Sequence, residues 1–260
     1  MQHIVLDVSD LAIGYFSKKK STTISEDINF SLVEGELVAL VGANGIGKST
    51  LLRTLAGMQP KLKGTVLLKG KSISDYPTLQ LARQLSVVLT EAAVSKNLTV
   101  LELVSLGRQP YTSWMGTLTE DDIKAIRKAL QATETEQLSL RKCFELSDGQ
   151  LQRVYIARAL AQDTPLILLD EPTTHLDLYH RAYILKLLKR LAAETGKCIF
   201  YSTHDIDLAI QLSDKMLVMA PGMTYFDSPC RLIEAGKFDR LFPKETINFD
   251  TKTGRFNINN

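Results

Sequence analysis

GELVALVGANGIGKST, Gly35 to Thr50, decides how the rest of the chain is to be read. Leu37 to Val41 is an apolar run with no polar break, the pattern of a strand buried on both faces. It gives way to GANGIGKST, which fits the phosphate-loop spacing GxxxxGK[ST]. Gly42, Gly45 and Gly47 free the backbone to take positive φ and to approach a phosphate closely. Amides along Gly42, Ala43, Asn44, Gly45, Ile46 and Gly47 would then cradle phosphates together with Thr50. Lys48 would reach the β and γ groups, and Ser49 would ligate Mg²⁺. KSTLLRTLAG begins a helix that stops at Gly57.

The surroundings supply what this loop needs. PLILLDEP sets Asp170 and Glu171 at the carboxyl end of a second apolar strand, the end that in a parallel sheet lies beside the phosphate loop. There Asp170 would hold Mg²⁺, and Glu171 would orient and deprotonate an attacking water. The plain alternative, a helix cap with Pro172, is disfavoured by the presence of the phosphate loop. His204 ends a third apolar strand, CIFYST. A satisfied polar group at a sheet end is the plain alternative to a γ-phosphate contact, which its place at the same sheet edge favours. Tyr15 reads from periodicity only as a strand aromatic.

LSDGQLQRVYIARAL, Leu146 to Leu160, begins as a polar turn at Ser147, Asp148 and Gly149. A helix from Gln150 follows, with Leu151, Val154, Ala157 and Leu160 on one face. Free amides at such a start attract anions.

Between these landmarks, HIVLDVSD, LAIGYF and INFSL alternate apolar and polar residues as short half-buried strands do, and GTVLLKG is another. From about Leu79 to Ala161 the chain is mostly helical, with a Thr119–Asp122 capping box. MLVMAPGMTYFD reads as a hairpin around Pro221-Gly222, and INFD and RFNI read as short strands in a polar tail.

The whole chain, 260 residues with 31 basic and 29 acidic side chains, is long enough for a sizeable core and shows no basic face for nucleic acid. Lys18-Lys19-Lys20 is a targeting patch or, preferably, a solvated hairpin turn. Cys143, Cys198 and Cys230 form no CxxC pair, which points to a reducing compartment. MQHIVLDVSD has no signal-peptide core and no run is long enough to span a membrane, so a cytoplasmic protein is expected.

In this order, GANGIGKST, LSDGQ, LILLDEP, HLD (His175 to Asp177) and STHD resemble the nucleotide-binding domain of ATP-binding-cassette (ABC) transporters over nearly the whole chain. LSDGQ differs from the usual LSGGQ at Asp148, which a backbone-amide role accepts if that side chain points outward. The resemblance implies an α/β fold: a P-loop NTPase core with a mostly parallel sheet, an N-terminal antiparallel β subdomain, and an inserted helical signature subdomain at about 90–161. The ATPase domain would cover 1–242, with a tail, 243–260, packed on or near it.

It implies ATP and Mg²⁺ as ligands, Tyr15 stacking on adenine, Glu171 as catalytic base with Lys48, and His204 sensing the γ-phosphate. Asp177 joins the nucleotide site. Ser147, Gly149 and Gln150 of one copy would cap ATP held by a second copy facing it head to tail. The family's Gln that touches Mg²⁺ aligns with Glu91, a carboxylate that suits a hard cation; in a shifted register Glu91 is instead a surface residue. LTVLELVSLGRQPYTSWMG resembles the ATPases of iron-chelate importers, which serve siderophores, haem or cobalamin. Tyr111 and Trp114 are then either local core anchors or part of a surface near a permease groove. The implied setting is the inner face of the cell membrane, with an integral permease and, indirectly, a substrate-binding protein as partners. An exporter ATPase, or a soluble ABC protein without a transporter, is the alternative.

Overall fold

The computed structural model describes residues 3–17, 20–89, 97–241, 247–250 and 255–258. Two long antiparallel strands come first, β1 (Ile4–Ser17) and β2 (Lys20–Val33). HIVLDVSD and LAIGYF are therefore one strand, where the alternation predicts two. The pattern breaks because the register shifts between Val8 and Leu11, where Asp10 takes φ 48 and donates its N–H to Asn29 Oδ1 at 2.9 Å. Ser17 pairs with Lys20, and Lys18 and Lys19 of the expected hairpin turn lie outside the described residues.

β3 (Leu37–Gly42) follows, then α1 (Lys48–Leu55), β4 (Lys63–Leu68), β5 (Lys71–Ser72), α2 (Thr78–Leu81) and β6 (Leu85–Val88). The helical stretch contains α3 (Val100–Ser105), α4 (Glu120–Ala132) and α5 (Asp148–Ala161). Next are β7 (Leu166–Leu169), α6 (Leu178–Thr195), β8 (Cys198–Ser202) and α7 (Ile206–Leu212). The chain continues through β9 (Lys215–Ala220), β10 (Met223–Asp227) and α8 (Pro229–Glu234) to a hairpin of β11 (Ile247–Asp250) and β12 (Arg255–Ile258). Phe249 of that hairpin stacks on Phe238, with ring centroids 4.9 Å apart.

The central sheet runs β10-β9-β3-β8-β7-β6, parallel except for the β9–β10 hairpin. The second sheet, β2-β1-β4-β5, is antiparallel. β3 shows why the apolar run carries no polar break. Leu37, Ala39 and Val41 face a core shared with α4, α5 and α6, while Val38 and Leu40 face a core shared with α1 and the antiparallel sheet. Both faces are covered, so both must be apolar.

Helix starts follow their side chains. Thr99 and Thr119 cap α3 and α4 in full capping boxes with Glu102 and Asp122. Leu98 thus precedes α3, and Leu101 within it is 40% exposed. α5 begins at Asp148, two residues before the expected Gln150. Ser147 is its N-cap, accepting from the Gln150 N–H at 3.3 Å, and Asp148 is exposed.

Candidate functional site

Three parallel strands deliver the site. β3 ends in the phosphate loop, β7 ends just before Asp170 and Glu171, and β8, lying between them, ends just before Thr203 and His204. Gly45 and Gly47 take φ 77 and φ 111, and Gly47 serves as the N-cap of α1. At Gly47 a Cβ would also come within 2.7 Å of Ile24, so the β2 side chain leaves room only for glycine.

A cavity of about 400 Å³ opens here, lined by Tyr15, Ile24, Asn44, Gly45, Gly47, Lys48, Ser49, Thr50, Glu171 and His204. Lys48 is 5% exposed and donates to Gly42 O at 2.9 Å and Ala43 O at 3.2 Å. Burial pushes its ammonium below the ordinary lysine value, and the Glu171 and Asp170 carboxylates pull in the opposite direction. Ser49 donates to Asp170 Oδ1 at 3.2 Å, and Tyr15 OH lies 3.1 Å from Thr50 Oγ1.

His204 ties the catalytic candidates together. Its Nε2 meets Glu171 Oε1, and its Nδ1 is 3.5 Å from Lys48 Nζ. An ammonium only donates, so Nδ1 accepts and the ring proton sits on Nε2, facing the carboxylate. Glu171 takes the left-handed φ of 50, and Thr174 Oγ1 donates to its Oε2 at 3.1 Å.

Other candidates lie apart from this cavity. Ser147, Gly149 and Gln150 form the start of α5. Asp177 caps α6, accepting from both the N–H and Nδ1 of His180 at 2.8 and 2.9 Å. The two places touch: a Cβ on Gly149 would sit 3.0 Å from His180 Cδ2. Glu91 lies outside the described residues.

Sequence reasoning missed Ser202. It donates to Asp170 Oδ1 at 2.7 Å and accepts from the Glu171 N–H at 2.9 Å, fully buried. The available signal was a hydroxyl inside an otherwise apolar strand, CIFYS, where a buried polar group needs partners.

LGRQPY proves to be a joint. Arg108, 7% exposed, donates to Asp122 Oδ1 and to Ala161 O, each at 2.8 Å, and its guanidinium lies 3.9 Å from the centre of the Tyr111 ring. Arg83 lies 5.2 Å from that ring and donates to Pro110 O at 2.9 Å. Tyr111 is therefore an anchor, whereas Trp114 is 95% exposed and anchors nothing. Beside this joint lies a cavity of about 600 Å³ whose lining includes Met58, Pro60, Ile73, Tyr76, Leu81 and Gln162.

Residues 25–174 match the family described as ABC transporter. The iron(3+)-hydroxamate import ATP-binding protein FhuC of Bacillus subtilis is 41% identical over 217 residues, covering 84% of this chain and 79% of that protein. A metal-chelate type ABC transporter in an inward-facing conformation superposes with TM-score 0.79 at 28% identity, covering 92% of this chain and 89% of that one. A dimeric ATP-binding cassette in a post-hydrolysis state, bound to ADP and Pi, gives TM-score 0.72 at 28% identity, covering 86% and 98%.

Proposed function

We propose that this chain, which belongs to the ABC transporter family, is the ATP-hydrolysing subunit of an importer for an iron chelate or a corrinoid, and that two copies work together on a separate membrane permease. One observation carries the catalytic part: Lys48, Glu171 and His204, from three separate strand ends, converge on the cavity that the glycine loop lines. The α/β cassette fold and ATP hydrolysis are those of the family. The cargo class rests on the relatives' names and on the LGRQPY stretch.

The donor set suits nucleotide and magnesium. Among the described residues no group of three or more His, Cys, Asp and Glu side chains forms a metal cage. Mg²⁺ typically keeps one or two protein ligands and takes the rest from phosphates and water. Ser49 and Asp170, already in hydrogen-bond contact, are the residues that would hold it. Bound magnesium neutralises charge on the β and γ phosphates.

The chain's own residues then do the following. Loop amides and Lys48 bind the phosphates, and Lys48 exchanges its contacts with Gly42 O and Ala43 O for phosphate oxygens. Tyr15 offers its ring to the base. Glu171 accepts a proton from water as the water oxygen bonds to the γ-phosphorus. The bond to the β–γ bridging oxygen breaks, and ADP leaves with that electron pair. His204 Nε2–H holds the Glu171 carboxylate in place. The start of α5 from the second copy presents amides and partial positive charge to the γ-phosphate.

No helix among the described residues is long and apolar enough to cross a membrane. The cavity beside Met58 and Tyr76 suits an apolar segment of that permease. Co-purification of the permease, followed by ATPase assays in liposomes with candidate chelates, tests the reading. Stimulation by a ferric chelate or a corrinoid in the presence of a binding protein supports it. Export of substrate from the same liposomes sinks it.

A further inference from the structure

We infer that Ser202 is a positioning residue for hydrolysis, one hydroxyl that sets both the metal-side carboxylate and the backbone of the general base. The inference rests on the reading of Glu171 and Asp170 given above. Ser202 ends β8, the strand between the phosphate-loop strand and the carboxylate strand, and is fully buried. Its single proton goes to Asp170 Oδ1 at 2.7 Å, so its lone pairs face the Glu171 N–H at 2.9 Å. One side chain thereby fixes two consecutive residues of the neighbouring strand's exit.

Both residues need fixing, for different reasons. Glu171 stands at φ 50, a conformation that L-residues adopt only when the surroundings hold them there. Thr174 and His204 hold its carboxylate, but among its described contacts only Ser202 reaches its N–H. Asp170 Oδ1 also receives a hydroxyl from Ser49, at the longer distance of 3.2 Å. Ser49 is itself a candidate ligand, whereas Ser202 has no such second duty. Free of Ser202, the 170–171 peptide can rotate, and small displacements of a general base cost rate far more than they cost binding.

The test compares Ser202→Thr with Ser202→Val. Both add the same bulk at a β-strand position, so overpacking cancels, and they differ by the hydroxyl. Ser202→Thr should stay within about threefold of wild type in kcat. Ser202→Val should lose about tenfold or more in kcat with KM for ATP within about twofold. Equilibrium binding of a fluorescent ATP analogue, with magnesium and with EDTA, supplies a readout independent of turnover. The magnesium-dependent part of the affinity should shrink in Ser202→Val and survive in Ser202→Thr.

Equal kcat in the two variants, with both folded, overturns the inference. If the added carbon prevents folding, Ser202→Ala against wild type decides on the same kcat-against-KM split, and a kcat within twofold overturns it. Glu171→Gln is assayed alongside. Turnover by that variant near the wild-type rate would mean that the reading of the base has failed. An inactive Glu171→Gln beside an unaffected Ser202→Val would mean that only the role of Ser202 has failed.

Discussion

Glu171 and His204 meet side chain to side chain at the ends of neighbouring parallel strands, and the far nitrogen of the same imidazole faces Lys48. The proposed base, the imidazole and the proposed phosphate-binding lysine thus form one connected chain, so removing any member should disturb the others. His204→Ala should lower kcat by about 100-fold, the range of a lost general-base positioning contact, while ATP still binds. Phosphate release and nucleotide binding measured on the same preparation separate the two effects. Parallel loss of both would refute the orienting role.

Glu171→Gln keeps the shape and loses the proton acceptor. Hydrolysis should fall by about 100-fold or more, with ATP retained and two copies held together by it. Light scattering with and without ATP checks the dimer. Hydrolysis near the wild-type rate would exclude Glu171 as the base.

Lys48 gives a pH dependence with a definite sign. Burial lowers its folded value below 10.5, so between that lowered value and 10.5 the unfolded chain holds the extra proton. In that window this group's contribution to stability rises with pH, and below it the contribution is constant. Nucleotide affinity moves the other way, because the neutral amine no longer attracts phosphate. The affinity advantage of wild type over Lys48→Met should therefore begin to narrow at a pH below 10.5. A constant ratio up to that pH contradicts the assignment.

Arg108 predicts a stability effect remote from chemistry. Arg108→Met leaves Asp122, 2% exposed, without its cation, and removes the stack on Tyr111. Breaking a buried pair from one side costs about 3 kcal/mol. Thr119 still donates to Asp122 through its N–H at 2.9 Å and its hydroxyl at 2.7 Å, which softens the loss. Urea unfolding measures it, and a change under about 0.5 kcal/mol would place Arg108 among ordinary surface residues.

The start of α5 is tested across two chains. One copy carries Lys48→Ala and the other Ser147→Arg, both on a Glu171→Gln background. Each homodimer pairs a good half with a broken half twice, whereas a mixed dimer puts both lesions in one site and leaves the other whole. Mixing should restore trapped ATP to a fraction of dimers. No gain, with folding and mixing verified, means that Ser147 to Gln150 serve their own chain.

The phosphate loop and the carboxylates were legible because their chemistry is local: glycines, a lysine and a strand end lie within a few residues of one another. Ser202 was hidden because its meaning depends on which strand sits beside which, and the order β3-β8-β7 is not written in any one strand. The merged β1 was hidden by Asp10, whose positive φ and bulge read as a strand break. Trp114 and Tyr111 look alike in sequence. Only the two arginines reaching the Tyr111 ring make it an anchor.

The place of β8 between β3 and β7 also governs when the chain can act during its own synthesis. Residues 37–50 and 166–171 emerge well before residue 198, yet the strand that joins them edge to edge is still missing. A growing chain that has made only the loop and the carboxylates cannot line them up. β8 ends in Ser202 and leads into His204, so the strand that joins β3 to β7 also delivers these two residues to the sheet edge.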